Sequence, residues 1–135
     1  MIQHPVSMIG TDGSAVAPYG VLGKGKPHPR SYGTFPRVLG KYVREERTLT
    51  LENAVRKMTS LPAQKLGLRD RGLIRKGMYA DITIFDPDRV MDRGSYTDPH
   101  QYPDGIEYVL VNGKIVIEKG THTGTLSGKA LRKTL

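Results

Sequence analysis

The sequence predicts an α/β protein in which helices precede residue 68 and strands follow it. Three observations carry this reading. Apolar residues recur at spacings of three and four between Phe35 and Met58, the repeat of a helix with one buried face. The pattern then changes to alternation in Ala80-Asp81-Ile82-Thr83-Ile84-Phe85-Asp86, the repeat of a half-buried strand. Asn112-Gly113 stands between two runs rich in Ile and Val, and that pair supplies the positive φ angles of a type I′ hairpin turn. With 135 residues the chain can build one modest core or two small lobes, and the change of period divides it into residues 1–68 and residues 69–135.

Taken in order, Val6 to Ile9 is a short apolar stretch that runs into Gly10-Thr11-Asp12-Gly13-Ser14, the pattern of a buried strand ending in a tight polar turn. Residues 15–34 hold many glycines and prolines and predict a long ordered loop. Phe35, Val38, Leu39, Tyr42 and Val43 make one face of a helix over residues 35–47, with Pro36 accommodated in its first turn and Gly40 weakening it. Thr50 is placed to cap a second helix with Leu51, Ala54, Val55 and Met58 on its buried face and Glu52 near its positive end. Ser60, Pro62 and Gly67 are the start and stop signals of a third, short helix. Pro87, Pro99 and Pro103 among scattered Asp and Gly predict a surface loop over residues 87–105, and the polar, basic tail after Gly120 is expected to be mobile.

Composition excludes several function classes. No apolar run approaches the ~20 residues of a membrane span and the N-terminus has no leader pattern, so the expected location is the cytoplasm. The chain has no cysteine, which leaves only His and carboxylates as metal donors. Its formal charge of +8 raises nucleic acid as a partner, but the 21 basic residues are interleaved with 13 acids, as in Arg44-Glu45-Glu46-Arg47, and do not form a basic block with aromatics. Neither nucleic acid nor membrane is an expected partner.

Asp12 is the best candidate for chemistry, because flanking glycines let the backbone turn sharply and leave the carboxylate facing a pocket. The bland alternative is an Asx-turn, in which the side chain bonds its own backbone two residues on. Arg30 lies in the Gly- and Pro-rich loop, where its planar fork could take a substrate carboxylate in two parallel hydrogen bonds; the alternative is an arginine paired with a surface acid. His4, His28, His100 and His122 are too far apart for an H-x-H or H-x-x-x-H pair, and His28 and His100, each beside a proline, are expected to fasten loops or face solvent. Gly23-Lys24-Gly25-Lys26 lacks the spacing of a phosphate loop, and no G-x-S-x-G elbow is present.

Three stretches together resemble one family. They are Met8-Ile9-Gly10-Thr11-Asp12-Gly13, then His28-Pro29-Arg30-Ser31-Tyr32-Gly33-Thr34-Phe35-Pro36-Arg37-Val38-Leu39-Gly40, then Ser60-Leu61-Pro62-Ala63 to Leu68 with Gly77-Met78-Tyr79-Ala80-Asp81-Ile82. They are similar to the N-acyl-D-amino-acid deacylases, or D-aminoacylases, of the amidohydrolase superfamily. Ile106-Glu107-Tyr108-Val109-Leu110-Val111-Asn112-Gly113-Lys114 resembles that family's closing hairpin, so the likeness covers nearly the whole chain. Residues 77–86 alone indicate only the superfamily; the run from His28 to Gly40 narrows it to the deacylases.

The resemblance implies a zinc-dependent hydrolase that cleaves the amide of an N-acyl-D-amino acid to a carboxylate and a D-amino acid. It implies the C-terminal piece of a (β/α)8 barrel followed by strands of a small β-sandwich. Residues 1–68 would be the last barrel strand, the substrate loop and terminal helices, and residues 69–135 the β-rich domain. Asp12 resembles the catalytic aspartate at the end of the last strand, and Arg30 resembles the arginine that holds the substrate's α-carboxylate. The family's metal ligands, histidines and a cysteine from earlier strands, have no counterpart here, so Asp12 is the one residue of this chain open to metal binding. The expected partners are therefore an N-terminal barrel half or a second copy, and the isolated chain is expected to be inactive. A non-catalytic β-rich binding or scaffold module is the alternative.

Overall fold

Pro36 shapes the first helical segment, because a proline inside a helix has no N–H to give to the preceding turn. Helix α1 (Arg30–Arg37) begins five residues before the expected start and carries Pro36 near its end, and the chain winds on as a wider π-helix (Val38–Glu45) that closes with Glu46 N–H on Lys41 O at 2.8 Å. The expected loop over residues 15–34 is thus shorter than its composition suggested and includes one 3-10 turn, Gly20–Gly23. Phe35, expected on the buried face, is 39% exposed, while Val38 and Leu39 are buried. The computed structural model describes residues 1–132.

The next two helices follow their local signals. Thr50 caps α2 (Leu51–Met58) by accepting the Asn53 N–H at 3.3 Å. The Glu52 carboxyl, hydrogen-bonded to its own backbone N–H and to the Thr50 hydroxyl, is held below the usual carboxylate range. Helix α3 (Ser60–Leu66) ends at Gly67, whose φ of 76° allows Gly67 N–H to reach Gln64 O and Leu68 N–H to reach Ala63 O, a paired closure that satisfies two otherwise orphaned carbonyls.

The strands form one antiparallel sheet in the order β1 (Ile82–Phe85), β2 (Ile106–Val111), β3 (Lys114–Glu118) and β4 (Thr121–His122). Asn112 and Gly113 take φ of 51° and 78°, as the hairpin requires. Bulges shift the register at Ile84/Phe85 and at Val109/Leu110. The first part of the tail is fastened despite its polarity: β4 pairs with β3, and Asn112 Nδ2 donates to Ser127 O at 2.6 Å. Residues 133–135 of that tail lie outside the described residues. No helix among the described residues is long and apolar enough to cross a membrane.

One core joins the helices to the near end of the sheet. Val38, Leu39, Leu49, Ala54 and Val90 are buried together, with Ile2, Ile9, Tyr42, Met58, Phe85 and Ile106 packed around them. Val90 is 0% exposed, so the 87–105 segment is not simply a surface loop; it enters the core, and Met91 bridges Asp104. The seam that admits it is built from one helical face. A Cβ on Gly33 would lie 2.7 Å from Asp92 Cβ, and one on Gly40 would lie 2.6 Å from Val90 O. Between and beyond these glycines, Arg37 pairs with Asp92 at 3.0 Å, and Arg44 donates to Val90 O at 2.7 Å and Pro87 O at 3.1 Å.

The predicted strand at Val6 to Ile9 does not form. A strand needs a neighbouring strand on at least one edge, and among the described residues this segment has none: Ser7 N–H turns back to His4 O, and Ile9 N–H bonds Lys57 O, in a helix, at 3.2 Å. Val6 is 70% exposed.

The seam makes Gly40 sensitive. Gly40→Ala should destabilise the chain by about 1–3 kcal/mol, the usual cost of overpacking a tight contact, read as a lower urea midpoint.

Candidate active site

Asp12 and Arg30, distant in sequence, meet in space. Arg30 Nη2 lies 2.8 Å from Asp12 Oδ2. Gly13 makes the approach possible: a Cβ there would stand 2.9 Å from the Ser31 Cα, so only glycine lets this backbone lie against the first turn of α1. Asp12 itself has φ of 45°, a left-handed conformation that aspartate tolerates better than most residues. The local turn bond belongs to its neighbour, since Gly13 N–H donates to Thr11 Oγ1 at 3.3 Å. The Asp12 carboxylate faces Arg30 instead.

Electrostatics favours this pairing. An arginine at the start of a helix sits at the positive end of the helix dipole, and a carboxylate there offsets both charges. The pair is open to water, with Asp12 87% and Arg30 44% exposed, so it adds little stability and each group stays available to a ligand.

Two histidine–tyrosine pairs brace the loop that presents Arg30. His28 Nδ1 accepts the Arg30 N–H at 3.0 Å, and its Nε2 lies 3.1 Å from the Tyr96 hydroxyl. His100 Nε2 donates to Gly25 O at 3.0 Å, which leaves Nδ1 to accept from the Tyr32 hydroxyl at 2.8 Å. Tyr102 stacks edge-on against Tyr32 with ring centroids 5.9 Å apart. Both histidines are loop fasteners, one of the two outcomes expected for them. Their tyrosine partners were not legible in the sequence, because contact between residue 32 and residues 100 and 102 depends on the seam between α1 and residues 87–92.

Lys57 was also missed. The expected buried face of α2 was apolar, yet Lys57 is 2% exposed and its Nζ reaches the backbone of His4 and Ser7. Its position three residues after buried Ala54 was the only sequence signal.

The described residues contain no group of three or more His, Cys, Asp or Glu side chains arranged to hold a metal. Both ring nitrogens of His28 and of His100 are already engaged. This donor set does not fit a zinc ion by itself. A cavity of about 180 Å³ between Leu39, Val43, Leu51, Phe85 and Val90 is mainly apolar and includes neither Asp12 nor Arg30.

Residues 1–117 match the amidohydrolase family. The chain is 49% identical over 113 residues to an N-acyl-D-glutamate deacylase of Alcaligenes xylosoxydans xylosoxydans, covering 84% of this chain and 22% of that protein. Among solved structures, an N-acyl-D-glutamate deacylase from Bordetella bronchiseptica, complexed with zinc and a phosphonate mimic of the tetrahedral intermediate, is 47% identical with a TM-score of 0.76, over 85% of this chain and 23% of that one. A D-aminoacylase with a binuclear metal centre is 42% identical with a TM-score of 0.87, over 98% of this chain and 26% of that one. The chain therefore spans about a quarter of the length of these relatives.

Burial, and then the neighbouring phenol of Tyr102, raises the Tyr32 pKa; burial, and then Tyr19, raises that of Tyr102. Phenols whose folded pKa exceeds the unfolded value of about 10 stabilise the folded state fully below that value and lose the contribution as pH rises through the folded pKa. The stability that these two phenols add should thus be lost at alkaline pH, above about 10. Tyrosinate absorbance should show two late-titrating groups in the wild type and one in Tyr32→Phe.

Proposed function

The chain belongs to the amidohydrolase family, and from that premise we propose that it is the C-terminal segment of a metal-dependent N-acyl-D-amino-acid deacylase, converting an N-acyl-D-amino acid and water to a carboxylate and a D-amino acid. The observation that carries the reading is the 2.8 Å contact between Asp12 and Arg30 in the region matched to the family. On this reading the carboxylate that would transfer the proton stands beside the guanidinium that would take the substrate carboxylate, two functions this hydrolysis needs close together.

In this mechanism Arg30 releases Asp12 and takes the α-carboxylate of the substrate in its planar fork. The freed Asp12 carboxylate accepts a proton from the attacking water and returns it to the departing amine nitrogen as the amide C–N bond breaks. Seating the substrate at Arg30 thus frees the base it requires. Zinc is the expected cofactor, because a relative binds it, and its donors must come largely from outside the described residues, with Asp12 the one candidate here. The remaining barrel strands are expected to come from an N-terminal segment packed on residues 1–22, where Val6, Met8, Tyr19, Val21 and Leu22 are exposed apolar side chains. In this reading residues 1–68 complete a (β/α)8 barrel and residues 69–135 contribute to a small β-sandwich.

The test is to mix the chain with a barrel-forming polypeptide of the family that carries the metal donors and to assay release of D-glutamate from an N-acyl-D-glutamate. Activity that requires both polypeptides is the expected result, and none under any mixing condition would leave a non-catalytic module as the better reading. In the assembled enzyme Asp12→Asn should lower kcat by about 100-fold or more with substrate still bound. Arg30→Ala should raise KM by roughly tenfold or more, the loss expected for a charge-assisted pair. Undiminished kcat in the first variant, or unchanged KM in the second, would overturn the respective assignment.

A further inference from the structure

Lys57 stands in a setting that a lysine rarely occupies. It is 2% exposed, and among the described residues it has no carboxylate partner. A buried ammonium is costly unless all three of its protons are accepted. Here the three acceptors are His4 O, Ser7 O at 3.0 Å and Ser7 Oγ at 3.1 Å. Every acceptor belongs to residues 4 and 7, which converge only because the N-terminal segment is folded on itself, with His4 N–H on Met1 O, Ser7 N–H on His4 O and Ser7 Oγ–H on His4 O at 2.9 Å. The same helix makes further holds on this segment: Lys57 O accepts the Ile9 N–H at 3.2 Å, and Arg56 donates to Pro5 O at 3.3 Å.

We propose that Lys57 is a positioning residue, an ammonium clamp on the backbone of residues 4–7 that fixes where the following residues place Asp12 beside Arg30. A carboxylate partner would hold a side chain, whereas carbonyl acceptors hold the path of the main chain itself. Ile9, fastened to Lys57 O, is three residues before Asp12, too few for the chain to wander far. The consequence for catalysis rests on the role assigned to Asp12 above; the clamp itself does not.

The test uses the full chain without substrate, metal or partner, so failure of the clamp and failure of the deacylase reading are separately visible. Amide hydrogen exchange and amide resonances are compared for wild type, Lys57→Met and Lys57→Ala. In the Met variant, exchange at Ser7 and Ile9 should rise roughly tenfold or more, the loss expected for charged hydrogen bonds, and the Asp12 and Gly13 resonances should move while β2 and β3 keep their protection. Propylammonium added to the Ala variant should restore both signals, and propanol of similar shape should not. Unchanged exchange in the Met variant, or equal rescue by the amine and the alcohol, would show that Lys57 only fills space and would overturn the proposal. If the Met variant does not fold, the Ala variant decides alone: folding restored by the amine only supports the clamp, and any other response overturns it.

Discussion

The close approach of the first helical segment to residues 87–92 governs much of what surrounds it. Gly33, Arg37, Gly40 and Arg44 follow one another at spacings of four, three and four, so they share a helical face. The glycines remove the side chains that would keep the two backbones apart, and the arginines bond Asp92, Val90 O and Pro87 O along the same line. This is a polar seam laid over an apolar contact, with Val90 delivered from the loop side into the helical core. The same docking carries residues 96–102 to the start of α1, where Tyr96 and His100 meet His28, Tyr32 and Gly25 O. The loop that presents Arg30 is therefore ordered by residues some seventy positions away.

The Asp12–Arg30 pair depends on two separate constraints. On one side Arg30 is held by the helix start and its histidine–tyrosine braces. On the other, Asp12 is carried by a segment held at Lys57 and brought close by Gly13. Both bland alternatives for these residues can be weighed on geometry. Thr11, not Asp12, makes the local turn bond, while Arg30 does pair with an acid, and that acid is the other candidate residue. Mutual neutralisation in the absence of substrate is compatible with catalytic roles, since an exposed ion pair exchanges partners at little cost.

The membership in the amidohydrolase family and the metal-bound relatives give this arrangement its chemical context. In the proposed function the chain contributes the Asp12 carboxylate, the Arg30 guanidinium and the scaffold that orients them. His28 and His100 serve structure, each ring bonded on both of its nitrogens.

Features decided by a few adjacent atoms were legible in the sequence by itself. The Thr50 cap, the Gly67 closure and the Asn112-Gly113 turn follow from local hydrogen-bond geometry and allowed φ, and all three stand where the residues indicate. The family was legible too, because its motifs are contiguous. Tertiary structure decided the rest. Residues 6–9 have strand composition but, among the described residues, no neighbouring ladder; residues 87–105 have loop composition but place Val90 in the core; Lys57 reads as a surface residue but its ammonium meets two carbonyls and the Ser7 hydroxyl. In each case the deciding partner lies dozens of residues away, and no local pattern records whether an edge will be paired, a gap filled or a charge met by backbone oxygen.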